Sequence, residues 1–182
     1  MEPKFRKLEM SELGRLSPDE LHEEQNLDFV FVLDSVRSLN NVGSIFRTSD
    51  AFRAARISLC GLTGQPPHRD IQKTALGATE TVCWTHFSEI KDCLTQLRNQ
   101  AFTIIGIEQT SGSISLEKFR FTHGSKYAFV LGNEVSGVSD EALSLCDMVI
   151  EIPQFGSKHS LNVAVTAGIV GWEYVSQSLK AH

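Results

Sequence analysis

A chain of 182 residues with 41% hydrophobic and 21% charged side chains has the composition of one globular domain with room for a sizeable core, not of a disordered or fibrous chain. The net charge of −5 argues against nucleic-acid binding as a global property. No apolar run approaches the ~20 residues that span a bilayer, and the charged N-terminus holds no signal-peptide core, so the reading is a cytoplasmic protein with no membrane partner.

Residues 1–27 read as a short N-terminal extension. Within it, Ser17-Pro18-Asp19-Glu20 supplies a cap, a proline at the first helical position and first-turn acids, and should start a short helix. The run Phe29-Val30-Phe31-Val32-Leu33, ending in Asp34, suits a strand buried on both faces. A helix over about 42–54 follows, with Asn41 reading as its N-cap. A short strand is expected over 57–60, a Gly/Pro loop over 61–67 and one or two helical turns over 70–76. Between Ser35 and Thr79 six basic residues face two acids, a net of +4. That stretch could track a phosphate backbone or be unrelated surface charge.

The alternation then repeats. A strand is expected over 81–84, and Ser88 should cap a helix with Ile90, Cys93, Leu94 and Leu97 on one face. Strands follow over 102–107 and 127–131, and Ser139 caps a short helix through Leu145. A last strand over 148–152 is ended by Pro153, and a final helix runs over about 160–178. Strands alternating with helices imply an α/β fold with a mainly parallel sheet flanked by helices. Ligands then bind beyond the carboxyl ends of the strands. The four cysteines, Cys60, Cys83, Cys93 and Cys146, lack the short spacings of metal or redox motifs. They read as reduced, mostly buried thiols, with no metal site expected.

Three segments at strand ends carry candidate chemistry. In the first, residues 34–48, Asn41 could expose helix N–H groups to an anion, and Arg47 stands beside the apolar Ile45 and Phe46. Its five donors need partners; the plainer reading pairs it with Asp50. The second, Leu131-Gly132-Asn133-Glu134-Val135-Ser136-Gly137, has glycines that would let backbone approach a ligand. Its Glu134 is placed to contact a polar group or orient an arginine. In the third, residues 152–165, a strand stops at Pro153 and Ser160 or Asn162 opens a helix. Ala164, Ala167, Gly168 and Gly171 give that helix a small-residue side suited to close packing.

Together and in order, these segments resemble the three signature motifs of the SpoU (TrmH-like) family of the SPOUT superfamily, over about residues 29–175. The family's Asn-x-Gly/Ala…Arg-Thr motif is similar to 41–48. Its Leu-Gly-Asn-Glu-x-x-Gly motif is similar to 131–137, and its Ile-Pro…Ser-Leu-Asn-Val motif to Ile152-Pro153 with 160–163. The resemblance implies a single SPOUT domain over 1–182 with a C-terminal deep trefoil knot that includes residues 154–159. It implies an enzyme that transfers methyl from S-adenosylmethionine to a ribose 2′-hydroxyl of tRNA or rRNA. Ile107, Leu131, Gly132, Ile152 and Leu161 would bind the cofactor. Arg47, Asn41, Glu134, Ser160 and Asn162 would line the reaction site.

A free guanidinium has a pKa above ~12, so Arg47 is read as a clamp on an RNA phosphate that stabilises the developing alkoxide. The base is left open between that phosphate and an arginine of strongly lowered pKa. The absence of a Gly-x-Gly-x-x-Gly motif argues against an ordinary dinucleotide site. The expected partners are RNA, with tRNA favoured over rRNA by compact size, and a second copy of the chain in a homodimer; DNA is not expected. With no long N-terminal extension or separate RNA-binding domain, docking would use the core itself. Ala164 and Thr166 depart from the Ser and Ala more usual in the family. The alternatives are a SPOUT-fold RNA- or cofactor-binding protein without methyltransferase activity, and an unrelated α/β enzyme with an open, unknotted sheet.

Overall fold

The computed structural model describes residues 5–14 and 26–180; the helix expected from Ser17 lies outside them. A 3-10 turn at Met10–Glu12 precedes the α/β body. In chain order this comprises β1 (Leu27–Asp34), α1 (Leu39–Ala51), β2 (Ala54–Cys60), α2 (Arg69–Ala75), α3 (Ala78–Thr81) and β3 (Trp84–Phe87). Then come α4 (Ile90–Asn99), β4 (Phe102–Ile107), β5 (Ile114–Ser115), β6 (Lys126–Leu131), α5 (Asp140–Ser144), β7 (Met148–Glu151) and α6 (Val163–Lys180).

The seven strands form one sheet in the order β3-β2-β1-β6-β4-β7-β5, and every ladder in it is parallel. β1 is fully buried from Phe29 to Leu33 because both faces of the sheet are covered. The two-residue period divides its side chains. Phe29, Phe31 and Leu33 pack with Val42, Ile45 and Phe46 of α1, Ile71 of α2, and Ala167, Val170 and Tyr174 of α6. Val30 and Val32 turn to the opposite face, against Cys93, Leu94 and Leu97 of α4 and Ala142 of α5. Tyr174 seals the first layer, its ring tilted against Phe29 at 4.9 Å and edge-on to Phe121 at 5.2 Å.

Several boundaries differ from the sequence reading. α1 begins at Leu39 because Ser38, not Asn41, is its N-cap; the Ser38 hydroxyl accepts from the Asn41 main-chain N–H at 3.3 Å. The helix ends at Ala51, since Arg53 takes a left-handed φ of 53° and Ala54 already pairs with Leu27 of β1. Thr81, expected in a strand, closes α3 instead and donates its hydroxyl to Asp50 at 2.6 Å. β3 starts only at Trp84, where pairing with Ile57 begins. Ser88 does not cap α4: Glu89 occupies that position without a side-chain bond, though Ile90, Cys93, Leu94 and Leu97 are the buried face as expected. Ser139 caps α5 as anticipated, accepting from the Ala142 N–H at 3.2 Å. Of the four thiols, Cys60 and Cys93 are buried, Cys146 is half-buried and Cys83 is exposed. No helix among the described residues is long and apolar enough to cross a membrane.

Candidate functional site

Beyond the carboxyl ends of β4, β6 and β7 lies a cleft of about 540 Å³, within the usual range for small-molecule sites. Ile107, Leu131, Gly132, Ile152 and Leu161, the five residues assigned to cofactor binding, all line it. Glu134, Ser160 and Asn162 line it too. Parallel strands end together at one edge of the sheet, so segments far apart in sequence meet there.

The Leu131–Ser139 segment leaves β6 and folds back on itself. Asn133 and Gly137 exchange main-chain hydrogen bonds of 3.0 and 2.9 Å. The Asn133 side-chain oxygen accepts from the Val135 N–H at 2.7 Å, while its amide donates to the Ser35 carbonyl at 3.0 Å. Gly137 has φ +70°, a conformation that costs glycine nothing. A Cβ on Gly132 would overlap the backbone of Gly137 and Val138. The glycine expected to admit a ligand therefore first admits the chain's own loop.

Glu134 crosses to the N-terminus of α1. Its carboxylate accepts from the main-chain N–H groups of Arg37 at 3.1 Å and Ser38 at 3.0 Å, and from the Asn41 side-chain amide at 2.9 Å. It thus takes backbone N–H groups at a helix start, where negative charge is favoured, and does not orient an arginine side chain. Burial acts to raise this carboxyl. The Asn41 amide and the main-chain N–H groups of Glu134, Arg37 and Ser38 outweigh it and hold the carboxyl below its ordinary value.

The chain of bonds continues into the third segment. The Asn162 amide donates to the Asn41 side-chain oxygen at 3.1 Å. The Asn162 oxygen caps α6 by accepting from the Ala164 N–H at 2.8 Å, which settles the choice between Ser160 and Asn162 as the helix opener. Asn162, Asn41 and Glu134, one from each motif, therefore form a single network at the mouth of the cleft. Ser160 is exposed on its wall.

Arg47 is elsewhere. It is exposed on α1, and among the described residues it has no ion-pair partner. Water can satisfy the donors that a buried guanidinium would have had to place, and Asp50 instead accepts from Thr81. Arg47 lines a second groove of about 520 Å³, with Lys73 and Thr74 of α2 and Gly168 of α6. Arg37 and Arg69 are also exposed, so four of the six cations in the basic stretch face solvent around α1 and α2.

Sequence reasoning missed Glu108, Gln109 and Asp34. Glu108, just past β4, lines the cleft and accepts from the Val138 N–H at 3.0 Å. Gln109 donates its amide to the His159 carbonyl at 3.3 Å, tying down the third segment. Asp34 is buried and accepts from the Ser139 N–H at 2.8 Å. The available signal was an acid closing each of two apolar strands, at the end where such sheets bind ligands.

The model of the SpoU rRNA Methylase family matches residues 28–172. The mouse tRNA (guanosine(18)-2′-O)-methyltransferase TARBP1 is 31% identical over 152 residues, 82% of this chain and 9% of the mouse protein. The tRNA (guanosine(18)-2′-O)-methyltransferase of Thermus thermophilus is 28% identical over 173 residues, 95% of this chain and 87% of that protein. Among solved structures, an AdoMet-bound rRNA methyltransferase from Sinorhizobium meliloti superposes with a TM-score of 0.75 at 27% identity. That match covers 87% of this chain and 60% of the rhizobial one. The chain thus spans less than two thirds of two of these three proteins.

Proposed function

Because the chain belongs to the SpoU rRNA Methylase family, we propose that it methylates a ribose 2′-hydroxyl of tRNA or rRNA, with S-adenosylmethionine as donor. The observation that carries this reading is the network of Asn162, Asn41 and Glu134, which joins all three motifs at the mouth of one cleft. That cleft suits the donor: Ile107, Leu131, Ile152 and Leu161 offer apolar walls for a purine, and carboxylates and loop main chain offer polar contacts. When bound, S-adenosylmethionine supplies a methyl group on a positively charged sulfur.

The chain's own residues then have distinct tasks. Asn162 and Glu134 hold Asn41 at the cleft mouth, a positioning role that matters because methyl transfer needs near-contact alignment. Arg47 faces the second groove rather than the cleft, which suits a hold on RNA phosphate rather than on the donor. Through that phosphate it would steady the RNA as the 2′-oxygen bonds to the methyl carbon, its proton passing to a phosphate oxygen or to an arginine of lowered pKa and S-adenosylhomocysteine leaving as the carbon–sulfur bond breaks. We read residues 154–159 as part of a deep trefoil knot; the Gln109 bond to His159 supports this by fixing that segment against the end of β4. We also read the whole chain as one domain, with residues 1–27 as its N-terminal extension.

The test is transfer of labelled methyl from S-adenosylmethionine to total RNA from cells lacking the enzyme, followed by digestion to nucleosides. The expected product is a 2′-O-methylnucleoside. Label on a base, or no label beside saturable donor binding, would overturn the proposal; the latter would favour an RNA-binding protein of the same fold.

A homodimer belongs to the same reading. Val165 and Trp172 of α6 are 51% and 55% exposed, and the exposed Ile169 lies between them. Phe52 packs beside Trp172, with ring centroids 6.1 Å apart. Exposed apolar side chains grouped on one helix face favour being covered.

A further inference from the structure

We propose that Glu108 is a cofactor-binding residue whose carboxylate accepts hydrogen bonds from the two vicinal hydroxyls of the donor's ribose. The inference rests on the cofactor reading above. Glu108 follows β4 directly, at the carboxyl end of a parallel strand, and is one of the residues that line the cleft. One carboxylate oxygen accepts from the Val138 N–H at 3.0 Å and the other from the Gln109 N–H at 2.9 Å. A carboxylate has about four acceptor positions, so one remains on each oxygen. Among the described residues no cation pairs with it.

A half-buried carboxylate with one free position on each oxygen matches a vicinal diol, which offers two O–H donors side by side. The same pairing of an acid with ribose hydroxyls operates in dinucleotide sites on open parallel sheets. Of the other carboxylates in the cleft, Glu134 is already engaged by three donors. Glu151 lies on β7 and makes no bond to the 132–138 loop. Glu108 does: a Cβ on Gly137 would overlap its carboxylate. A ribose held there would sit between the two loops that flank the cleft, and its binding would tighten both.

The experiment is calorimetric binding of S-adenosylhomocysteine and of its 2′-deoxy and 3′-deoxy forms to the wild-type protein, Glu108→Gln and Glu151→Gln. Wild type should bind each deoxy form about 10- to 100-fold more weakly, the range for one hydrogen bond to a charged group. Glu108→Gln should weaken S-adenosylhomocysteine by a similar factor and shrink the deoxy penalty to a few-fold, while Glu151→Gln keeps the full penalty. Equal wild-type affinity for all three ligands overturns the inference with no variant needed. So does a penalty undiminished in a folded Glu108→Gln, or one abolished by Glu151→Gln. Failure of wild type to bind S-adenosylhomocysteine at all overturns the cofactor reading, and the inference with it.

Discussion

Arg47 and Glu134 are both charged, and their surroundings assign them opposite tasks. Arg47 is solvent-exposed, without an ion-pair partner among the described residues, in a groove it shares with Lys73. It is free to take an anion from outside. Arg47→Ala should therefore lower single-turnover methyl transfer on the order of 10²- to 10³-fold and leave S-adenosylhomocysteine affinity nearly unchanged. Arg47→Lys should restore little, because an ammonium lacks the guanidinium fork. Near-normal transfer by Arg47→Ala would reduce the residue to a surface charge. Glu134 is instead committed to Asn41 and to the start of α1. Its carboxyl lies below the ordinary carboxylate value, so its contribution is full above that value and is lost as pH falls through the lower folded-state one. The side chain is exposed, and the effect on stability should be at most about 1 kcal/mol. Thermal midpoints measured from pH 6 down to pH 3 should converge for wild type and Glu134→Gln at the acid end. A constant gap across that range would show that the carboxylate's charge contributes nothing.

At the scale of elements, α1 is the part on which the two grooves depend. Its first turn joins the cleft network through Asn41, and two turns on it carries Arg47 into the second groove. Its position is set by close packing on α2. A Cβ on Gly43 would overlap the Thr74 hydroxyl and the Ile71 carbonyl, and Thr74 donates to the Asn40 carbonyl at 3.0 Å. Only a residue without a side chain lets the helices approach this far. Gly43→Ala should push them apart and cost about 1–3 kcal/mol, the usual cost of overpacking. That corresponds to a fall of several degrees in the midpoint of a calorimetric scan. An unchanged midpoint would mean that α2 yields without loss, and that α1 is held by the sheet alone.

For the molecule as a whole, the apolar surface around Val165, Ile169 and Trp172 lies on the outer side of a helix whose inner side packs on β1 and β6. Ala167, Val170 and Tyr174 are buried within the chain. That leaves the opposite side for a second copy. Gly171 serves the inner packing, since a Cβ there would crowd Phe52 and Phe31, whereas Gly168 has open space. Trp172→Glu combined with Val165→Glu should convert a dimer at micromolar concentration into single chains by light scattering, with the fold retained by circular dichroism. A wild-type mass of one chain would sink the dimer reading outright.

Periodicity and punctuation in the sequence determined the order and kind of almost every element, because burial on both faces of a parallel sheet leaves continuous apolar runs that local side chains cannot disguise. The apolar face of α4 was legible from its helical spacing, and the cap of α5 from a hydroxyl placed ahead of two first-turn acids. The five residues expected to bind cofactor do share one cleft, since each stands at or near a strand's carboxyl end or in the segment that follows one. Tertiary structure decided what local pattern could not. Thr81 reads as β-prone, yet its hydroxyl has an acceptor in Asp50, and β3 waits for a partner strand at Ile57. Asn41 reads as a cap, yet it is held by Glu134 and Asn162, which lie 93 and 121 residues away in the chain. Arg47 reads as a hold on phosphate set apart from the cofactor, and only the six residues of helix that follow Asn41 give it a groove of its own. Glu108 read as nothing in particular, because its meaning depends on the unoccupied acceptor positions left after Val138 and Gln109 have bonded to it. Hydrogen bonds between distant segments exist only once the sheet has brought its strand ends together, and no window of sequence contains both partners.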